Sequence, residues 1–351
     1  MSAALAPAAP AASPVAAGRR RRTRHRRLVV TGLVVTVLAL VVVGLCVGER
    51  LYSPVDAVRV LLLGERVPGA SFTIGTLRGP RVLTGLLAGV AFGMGGAVFQ
   101  TMLRNPLASP DIIGVSAGAS AAAVVAITLL GASGPGVSVV AVVSGLVVAG
   151  LIYALSWRRG VQGARLVLIG IAVGAMLDSV INYAMTRAGV YDANEALRWL
   201  TGSLNSAFWA GLGPLAAAMA VLVPLLLVVA RRLPILQLGD EAAAGLGVRP
   251  DRARLALLLV AVALVSVGTA TTGPIAFVAF LSGPIAHRLL RGTGSLLVPA
   301  GLVGAVLVLA GDLVGQHLLV ARFPVGVVTG VLGAPYLLWL LARTNRSGGR
   351  L

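Results

Sequence analysis

Stretches of about 20 consecutive residues with almost no charge recur along this chain, and they leave few folds open to it. One of them, LVVTGLVVTVLALVVVGLCVG, begins at Leu28. Because a bilayer offers the backbone no water, such a stretch is expected to hydrogen-bond within itself as a transmembrane helix. Hydrophobic residues make up 58% of the sequence and charged residues 11%, which predicts an all-α integral membrane protein.

We predict about ten transmembrane helices within residues 28–343, with ends uncertain by a few residues. Their predicted starts lie near Leu28, Val82, Asp111, Val137, Leu166, Phe208, Leu255, Ile275, Leu296 and Val325. The eighth is short and contains proline. The spans divide into two halves of about five, and an odd number per half turns the halves upside down relative to each other, as in many transporters. Recurring glycines such as Gly85, Gly89 and Gly93 favour close helix packing.

The N-terminal segment before the first span is strongly basic. Residues 1–18 are rich in alanine and proline and predict disorder, and the run RRRRTRHRR at 19–27 follows. We therefore expect a disordered basic tail over 1–27 and a short tail over 344–351. Without an Ala-x-Ala-like cleavage site, the first span is expected to be retained. With alternating spans, most of the 29 arginines fall on the side of the membrane where the chain begins. The positive-inside rule makes this side the cytoplasm, so both termini are expected there, with the protein in the plasma membrane.

Several activities are excluded by composition. All 29 basic residues are arginine, so a Walker A lysine and Schiff-base chemistry are absent. Cys46 is the single cysteine, and His25, His287 and His317 are scattered without ligand spacing, so neither a disulfide within the chain nor a metal site is predicted. The arginine run beside a span is expected to orient the chain rather than bind nucleic acid. We predict no enzyme activity and no cofactor.

A small polar helix interrupts the apolar pattern in LQLGDEAAAGLGVRPDRAR, residues 236–254. Gly239 or Asp240 can serve as its N-cap, and acidic residues suit its positive start. Gly245 and Gly247 predict its end, and Pro250 opens the next helix. Because a helix of about two turns is marginal alone, we expect a partner to hold it.

The stretch RNPLASPDIIGVSAGAS, residues 104–120, predicts a tight turn at Asn105 and Pro106 between two spans. Ser109, Pro110 and Asp111 suit the start of the third span. The residues after it leave one helix face without bulk, which suits either packing or a solvated path. They are Gly114, Ser116, Gly118 and Ser120. GVSAG also matches the G-x-S-x-G nucleophile motif, although a membrane helix is not the strand–turn–helix that this motif requires.

Polar residues inside predicted spans have two open interpretations. Asp178, Asn182 and Thr186 share one face of the fifth span and either line a substrate path or form interhelical hydrogen bonds. Asp312 in the ninth span has the same ambiguity. Arg78 and Arg81, at the mouth of the second span, are either interfacial anchors or a positive docking point for a partner.

Together these residues resemble the permease family of ABC importers for iron–siderophore complexes, haem and vitamin B12, of the FecCD type. The resemblance runs from Leu28 to the C-terminus. It rests on LRGPRVLTGLLAGVAFGMGGAVFQTMLRNPLASPDIIGVSAGA, followed in order by LGDEAAAGLGV, TTGPIAFVAFLSGPIAHRL, VPAGLVGAVLVLAGDLV and FPVGVVTGVLGAPYLLWLL. It implies a type II importer permease that works with a second permease, two cytoplasmic ATPase subunits and an extracytoplasmic binding protein, within membrane lipid.

The resemblance also implies roles for particular residues. Residues 239–248 match the family's coupling helix, which inserts into the ATPase. The residues concerned are Gly239, Asp240, Glu241, Ala242, Gly245, Leu246, Gly247 and Val248. Arg78 and Arg81 match arginines implicated in docking the binding protein, and Gly163 and Ala164 fall at the cytoplasmic gate. Asp178 with its neighbours is expected in the translocation path.

The chain departs from the family at the outer surface, where Gly79, Gln316 and Arg322 replace the usual leucine, arginine and acidic residue. Its FLSGPIAHRL and GQH variants resemble ferric-siderophore permeases more than vitamin B12 permeases. The predicted function is ATP-driven import of a ferric-siderophore complex by alternating access, with haem or vitamin B12 as alternatives. An ion-coupled secondary transporter using Asp178 and a membrane hydrolase using Ser116 are rivals from other classes.

Overall fold

The computed structural model describes residues 14–111, 114–157, 163–292 and 294–347, and the regular elements of these residues are helices. Seven helical segments are long and apolar enough to cross a membrane. Two shorter apolar helices span Val115–Thr128 and Val325–Trp339. With the short proline-containing helix Val278–Leu289, they lie near the ten predicted starts, so the predicted all-α, polytopic fold is confirmed. The inverted relation of the two halves stays a prediction.

The first half of the chain folds into helices joined by short turns. A π-helical segment, Ser71–Arg78, runs directly into the third of them. The helices are α1 (Pro14–Cys46), α2 (Pro54–Leu61), α3 (Gly79–Leu103), α4 (Val115–Thr128), α5 (Pro135–Ser156) and α6 (Gly163–Arg187).

The second half begins with a short surface helix and ends with the last span. A second π-helical segment, Val314–Leu318, extends α13. The helices are α7 (Val190–Leu200), α8 (Trp209–Val229), α9 (Leu233–Leu236), α10 (Asp240–Gly245), α11 (Pro250–Thr272), α12 (Val278–Leu289), α13 (Leu297–Leu313) and α14 (Val325–Ser347).

Helix α3 is the centre of the bundle and packs against α11, α12 and α13. Its glycines face the backbone of α13 directly. A Cβ atom at Gly89 would lie 2.6 Å from the Ala305 Cα, and one at Gly93 would lie 2.2 Å from the Ala300 carbonyl oxygen. Only glycine allows backbones to approach so closely, so the predicted role of these small residues in packing is confirmed.

Helix α6 is, by contrast, largely uncovered. Only 11% of the most apolar stretch of this helix is buried against the rest of the chain. Leu168, Ile171 and Met176 are exposed over 68%, 55% and 69% of their surface. A span with this much exposed apolar surface faces either lipid or another protein.

The structure differs from the prediction at both terminal tails. Helix α1 begins at Pro14, so the basic residues 19–27 are helical and not disordered. Its first part is fixed against the bundle, because the His25 ring nitrogen Nε2 lies 3.0 Å from the Leu289 carbonyl oxygen. Helix α14 continues to Ser347, past the predicted boundary at 343. Residues 1–13 and 348–351 lie outside the described residues.

The predicted start of the third span is also wrong. Ser109, Pro110 and Asp111 form a turn, and α4 begins only at Val115. The Ser109 hydroxyl accepts a hydrogen bond from the Asp111 amide at 3.2 Å, while the Asp111 carboxylate accepts one from the Ser116 hydroxyl. Gly114 then takes a φ of 82°, which glycine adopts without strain. The carboxylate therefore braces the turn instead of starting the helix.

Candidate functional site

The segment 239–248, which we call the coupling segment, projects a short helix from the end of the bundle where α8 and α11 meet. Gly239 is its N-cap with a φ of 109°, and Gly247 ends it with a φ of 80°. Ala243 is fully buried and holds the inner face. The outer face is exposed and comprises Asp240, Glu241, Ala242, Gly245, Leu246 and Gly247. The capped helix predicted from the sequence is confirmed.

The coupling segment is anchored to the membrane helices by polar contacts. The Arg254 guanidinium, on α11, donates to both Asp240 carboxylate oxygens at 2.9 and 2.6 Å. The Arg104 side chain, at the end of α3, donates to the Leu236 carbonyl oxygen at 2.9 Å. Because two donors in a fork fix direction as well as distance, this ion pair orients α10 relative to α11.

Exposed apolar side chains flank this helix. Leu238 and Leu246 are exposed over 65% and 62% of their surface. A cavity of about 570 Å³ lies beside the short helix and includes Trp157, Ala244 and Val248 in its lining. Exposed apolar side chains rimmed by polar residues form a surface suited to a protein partner.

The turn at Asn105 and Pro106 lies at the same end of the bundle, because the neighbouring Arg104 donates to the carbonyl oxygen of Leu236, just before the coupling segment. The Asn105 side-chain oxygen accepts a hydrogen bond from the Leu107 amide at 2.9 Å, and its carbonyl accepts one from the Ala108 amide at 3.1 Å. The predicted turn is therefore confirmed, with Arg104 at a φ of 50° ending α3.

A second cavity, of about 470 Å³, lies between α4 and α6. Asp111, Ser116 and Asp178 all contribute to its lining. The sequence thus predicted the polar residues on both walls of one cavity. The Ser116 hydroxyl donates to the Asp111 carboxylate in the turn before α4, so this contact joins the turn to the helix.

Other predicted path residues lie elsewhere. Gly118 is buried against α5, where an added Cβ would lie 2.7 Å from Val148, so it packs between helices in this structure, and its role in a path stays a prediction. Gly114 is buried as the N-cap of α4. Asn182 and Thr186 continue the exposed face of α6 beyond the cavity. Gly163 and Ala164 form the first turn of α6, with Ala164 exposed, and their role as a gate stays a prediction.

At the opposite end of α3, both predicted docking arginines have partners inside the chain. Arg81 donates to the two Asp312 carboxylate oxygens at 2.7 and 2.6 Å and to the Asn205 side chain at 2.8 Å. Arg78 donates to the carbonyl oxygens of Leu45 and Arg50 at 3.0 and 2.9 Å. The charge of Arg81 is thereby neutralised, whereas that of Arg78 is not, since carbonyl oxygens carry no net charge.

The residues that depart from the family resemblance lie at this end as well. A Cβ atom at Gly79 would lie 2.9 Å from the Ile74 carbonyl oxygen and 3.3 Å from the Trp209 ring, so a larger residue would need the chain to shift. The Arg322 guanidinium donates to Glu49. The replacement of an acidic residue by arginine here is therefore matched by an acid within the chain.

These features are shared with known transport proteins. Residues 36–343 match the sequence profile of the FecCD transport family, which covers most of the chain. The chain belongs to the FecCD transport family. It is accordingly a multi-pass membrane permease subunit of the ABC importer type, and ATP hydrolysis in such systems takes place on a separate chain.

Relatives of this FecCD permease include two proteins named for siderophore transport. It is 38% identical over 325 residues to the ferric enterobactin transport system permease protein FepG of Escherichia coli (strain K12), covering 92% of this chain and 98% of that protein. It is 39% identical over 311 residues to the achromobactin transport system permease protein CbrC of Dickeya dadantii (strain 3937), covering 88% and 89%.

A solved structure assigned as an inward-facing conformation of a metal-chelate type ABC transporter has the same fold as this FecCD permease. The TM-score is 0.80 at 26% identity, and the match covers 90% of this chain and 99% of the other. The family assignment made from the quoted sequence blocks is therefore confirmed.

Sequence reasoning missed the partners that hold this FecCD permease's site residues. No local sequence pattern pairs Arg254 with Asp240 or Asn205 with Arg81, because each pair forms only when separate segments of the chain pack together. Arg104 stood next to the quoted Asn105-Pro106 motif, and a basic residue at a helix end suits the exposed carbonyls of another helix end.

Proposed function

We propose that this chain is the permease subunit of an ATP-driven importer that moves ferric-siderophore complexes into the cytoplasm. The observation that carries the proposal is the coupling segment. It is held by the Asp240–Arg254 ion pair, and its outer face is exposed and not covered by other described residues. The named relatives support the substrate class, because ferric enterobactin and achromobactin systems are among them.

A second permease subunit is expected to cover α6. The exposed apolar residues of this helix surround Asp178, and a cavity wall left half-formed by one chain would be completed by its partner. The substrate would pass between the two permeases, and Asp178 would be in contact with water or substrate there. This arrangement satisfies a carboxylate that would otherwise face lipid at a cost of about 2.5–3.5 kcal/mol.

The remaining partners follow from the two ends of the bundle. Two ATPase subunits would bind the coupling segments on the cytoplasmic side, together with both termini, in the plasma membrane. An extracytoplasmic binding protein would dock at the other end, where Arg78 is the predicted contact with an uncompensated charge. Because Arg81 is already paired, its contribution to docking would be indirect.

The proposal is tested by reconstituting the permease with its ATPase and binding protein in liposomes. We expect ATP-dependent accumulation of radiolabelled iron supplied as ferric enterobactin, and much weaker uptake of haem or vitamin B12. Preference for haem or vitamin B12 would assign the alternative substrates. Uptake driven by a proton or sodium gradient without ATP would instead support the secondary transporter.

Asp178→Asn is expected to lower uptake by about tenfold, equivalent to about 1.4 kcal/mol, while the melting temperature stays unchanged. The side chain is exposed and has no hydrogen-bond partner among the described residues, so its removal should not disturb the fold. Asp192→Asn, an exposed aspartate on α7, is the matched control and should transport normally. Normal uptake with a lowered melting temperature would show that Asp178 is structural.

A further inference from the structure

A cleft of about 550 Å³ separates the end of α1 from the end of α13 and lies outside the path described above. The two π-helical segments among the described residues, Ser71–Arg78 and Val314–Leu318, both contribute residues to its lining. π-helical turns are rare and are frequent at functional sites, because they displace side chains from the regular helical positions. We call this cavity the arginine cleft.

One end of the arginine cleft has an excess of positive charge. Arg81 and Arg322 line it but are paired with Asp312 and Glu49. Arg50 and Arg78 also line it, and neither has a carboxylate partner among the described residues. These two guanidinium groups therefore leave an anion-binding region at the mouth of the cleft.

Arg78 is held in place so that it can serve such a region. Its guanidinium donates to two carbonyl oxygens and lies 5.4 Å from the centre of the Tyr52 ring. An added Cβ at Gly48 would lie 2.1 Å from an Arg78 guanidinium nitrogen, so glycine makes the space that the side chain occupies. A fixed guanidinium loses little freedom when it binds an anion.

The other end of the arginine cleft is apolar. Leu40, Gly44 and Val47 form one wall along α1 and just past its end, and Leu309 and Leu313 form the facing wall on α13. From Leu40 to Val47 the wall extends about 10 Å along the helix. Since α1 ends at Cys46, the charged end lies where this span leaves the membrane and the apolar end lies inside it.

We propose that the arginine cleft binds an anionic phospholipid. The phosphate would lie against Arg50 and Arg78, and an acyl chain would lie between α1 and α13. Arginine forms forked, charge-assisted hydrogen bonds with phosphate, and the apolar walls of the cleft pack against an acyl chain by van der Waals contact. A small anion would use the charged end alone and leave the apolar walls unfilled. The site is separate from the proposed substrate path, and a lipid bound there would compete with the binding protein for Arg78.

The test uses the purified full chain in detergent, with phosphatidylglycerol as the anionic probe and phosphatidylcholine as the neutral one. We expect native mass spectrometry to show retained phosphatidylglycerol, and the melting temperature to rise with this lipid only. Arg50→Gln should weaken the apparent affinity by about tenfold, because it removes one of the two guanidinium groups that would donate to the phosphate. Arg66→Gln, an exposed arginine outside the cleft, should bind as the wild type does.

A second variant separates a lipid from a small anion. Val47→Trp fills the apolar wall without changing any charge, so it should reduce phosphatidylglycerol binding. If inorganic phosphate stabilised the protein equally well and Val47→Trp had no effect, the cleft would be a small-anion site and the lipid proposal would be wrong. Equal phosphatidylglycerol retention by wild type and Arg50→Gln, with loss only of binding-protein affinity, would make the cleft a protein-docking surface instead.

Discussion

Gly245→Val is expected to abolish ATP-dependent uptake while the permease remains folded. Apart from its chain neighbours and the backbone of its own helix, no atom of the described residues lies within 4 Å of a Cβ position at Gly245, so the substitution causes no clash with another element of the described structure. A β-branched residue on the exposed face of α10 would instead collide with an ATPase that closes around it. We expect uptake and co-purification of the ATPase to fall by at least about tenfold, or about 1.4 kcal/mol of binding free energy.

The control is Gly136→Val. Gly136 lies in the first turn of α5, at the end of the bundle away from the coupling segment, and has equally open surroundings. It should leave both uptake and ATPase binding intact. Deletion of residues 240–247 provides an independent test, and full uptake by that deletion variant would end the coupling hypothesis.

Arg81→Gln is expected to lower the free energy of unfolding by about 3–5 kcal/mol, because it leaves the Asp312 carboxylate without its partner. The pair is well covered, with side-chain exposures of 21% for Arg81 and 11% for Asp312, so water compensates little for the loss. It also links α3 to α13 at one end of the bundle. Thermal unfolding in detergent, followed by the loss of monodisperse protein, measures the effect.

A double-mutant cycle with Asp312→Asn identifies the contact responsible. If the pair is structural, the double variant should be less destabilised than the sum of the two single variants by about 0.5–3 kcal/mol. Binding-protein affinity in nanodiscs, measured alongside, separates this role from docking. If Arg81→Gln left the melting temperature unchanged but abolished binding-protein affinity, Arg81 would be a docking residue, as predicted from the sequence.

The order of the apolar helices could be predicted because each depends on a local property, the length of an uncharged run. The coupling segment was equally local, since Gly239 and Gly247 mark its ends in the sequence. The start of α4 was not, because Ser109-Pro110-Asp111 is a good helix start in isolation. Only the hydrogen bond from Ser116 back to Asp111 shows that the carboxylate is used in the turn.

The long-range pairs of the site could not be predicted. Arg81 and Asp312 were each recognised as unusual, yet nothing in a single sequence joins residues at opposite ends of the chain. The same applies to Gly118, whose small size suits a solvated path and a packed interface equally. Its contact with Val148 shows the packed interface, and that contact exists only after α4 and α5 have packed.

The glycine contacts between α3 and α13 restrict how this permease can change shape. The Ala300 carbonyl oxygen of α13 lies 2.2 Å from the position that a Cβ atom at Gly93 would occupy. A shift of α3 along α13 by about 1.5 Å, the rise of one residue, would press side-chain atoms of one helix into the backbone of the other. Helices α3 and α13 therefore keep a fixed position relative to each other, because gradual sliding between them is blocked. Alternating access would therefore have to come from helices outside this pair, such as α6, which is sparsely covered within this chain and is expected to contact the second permease.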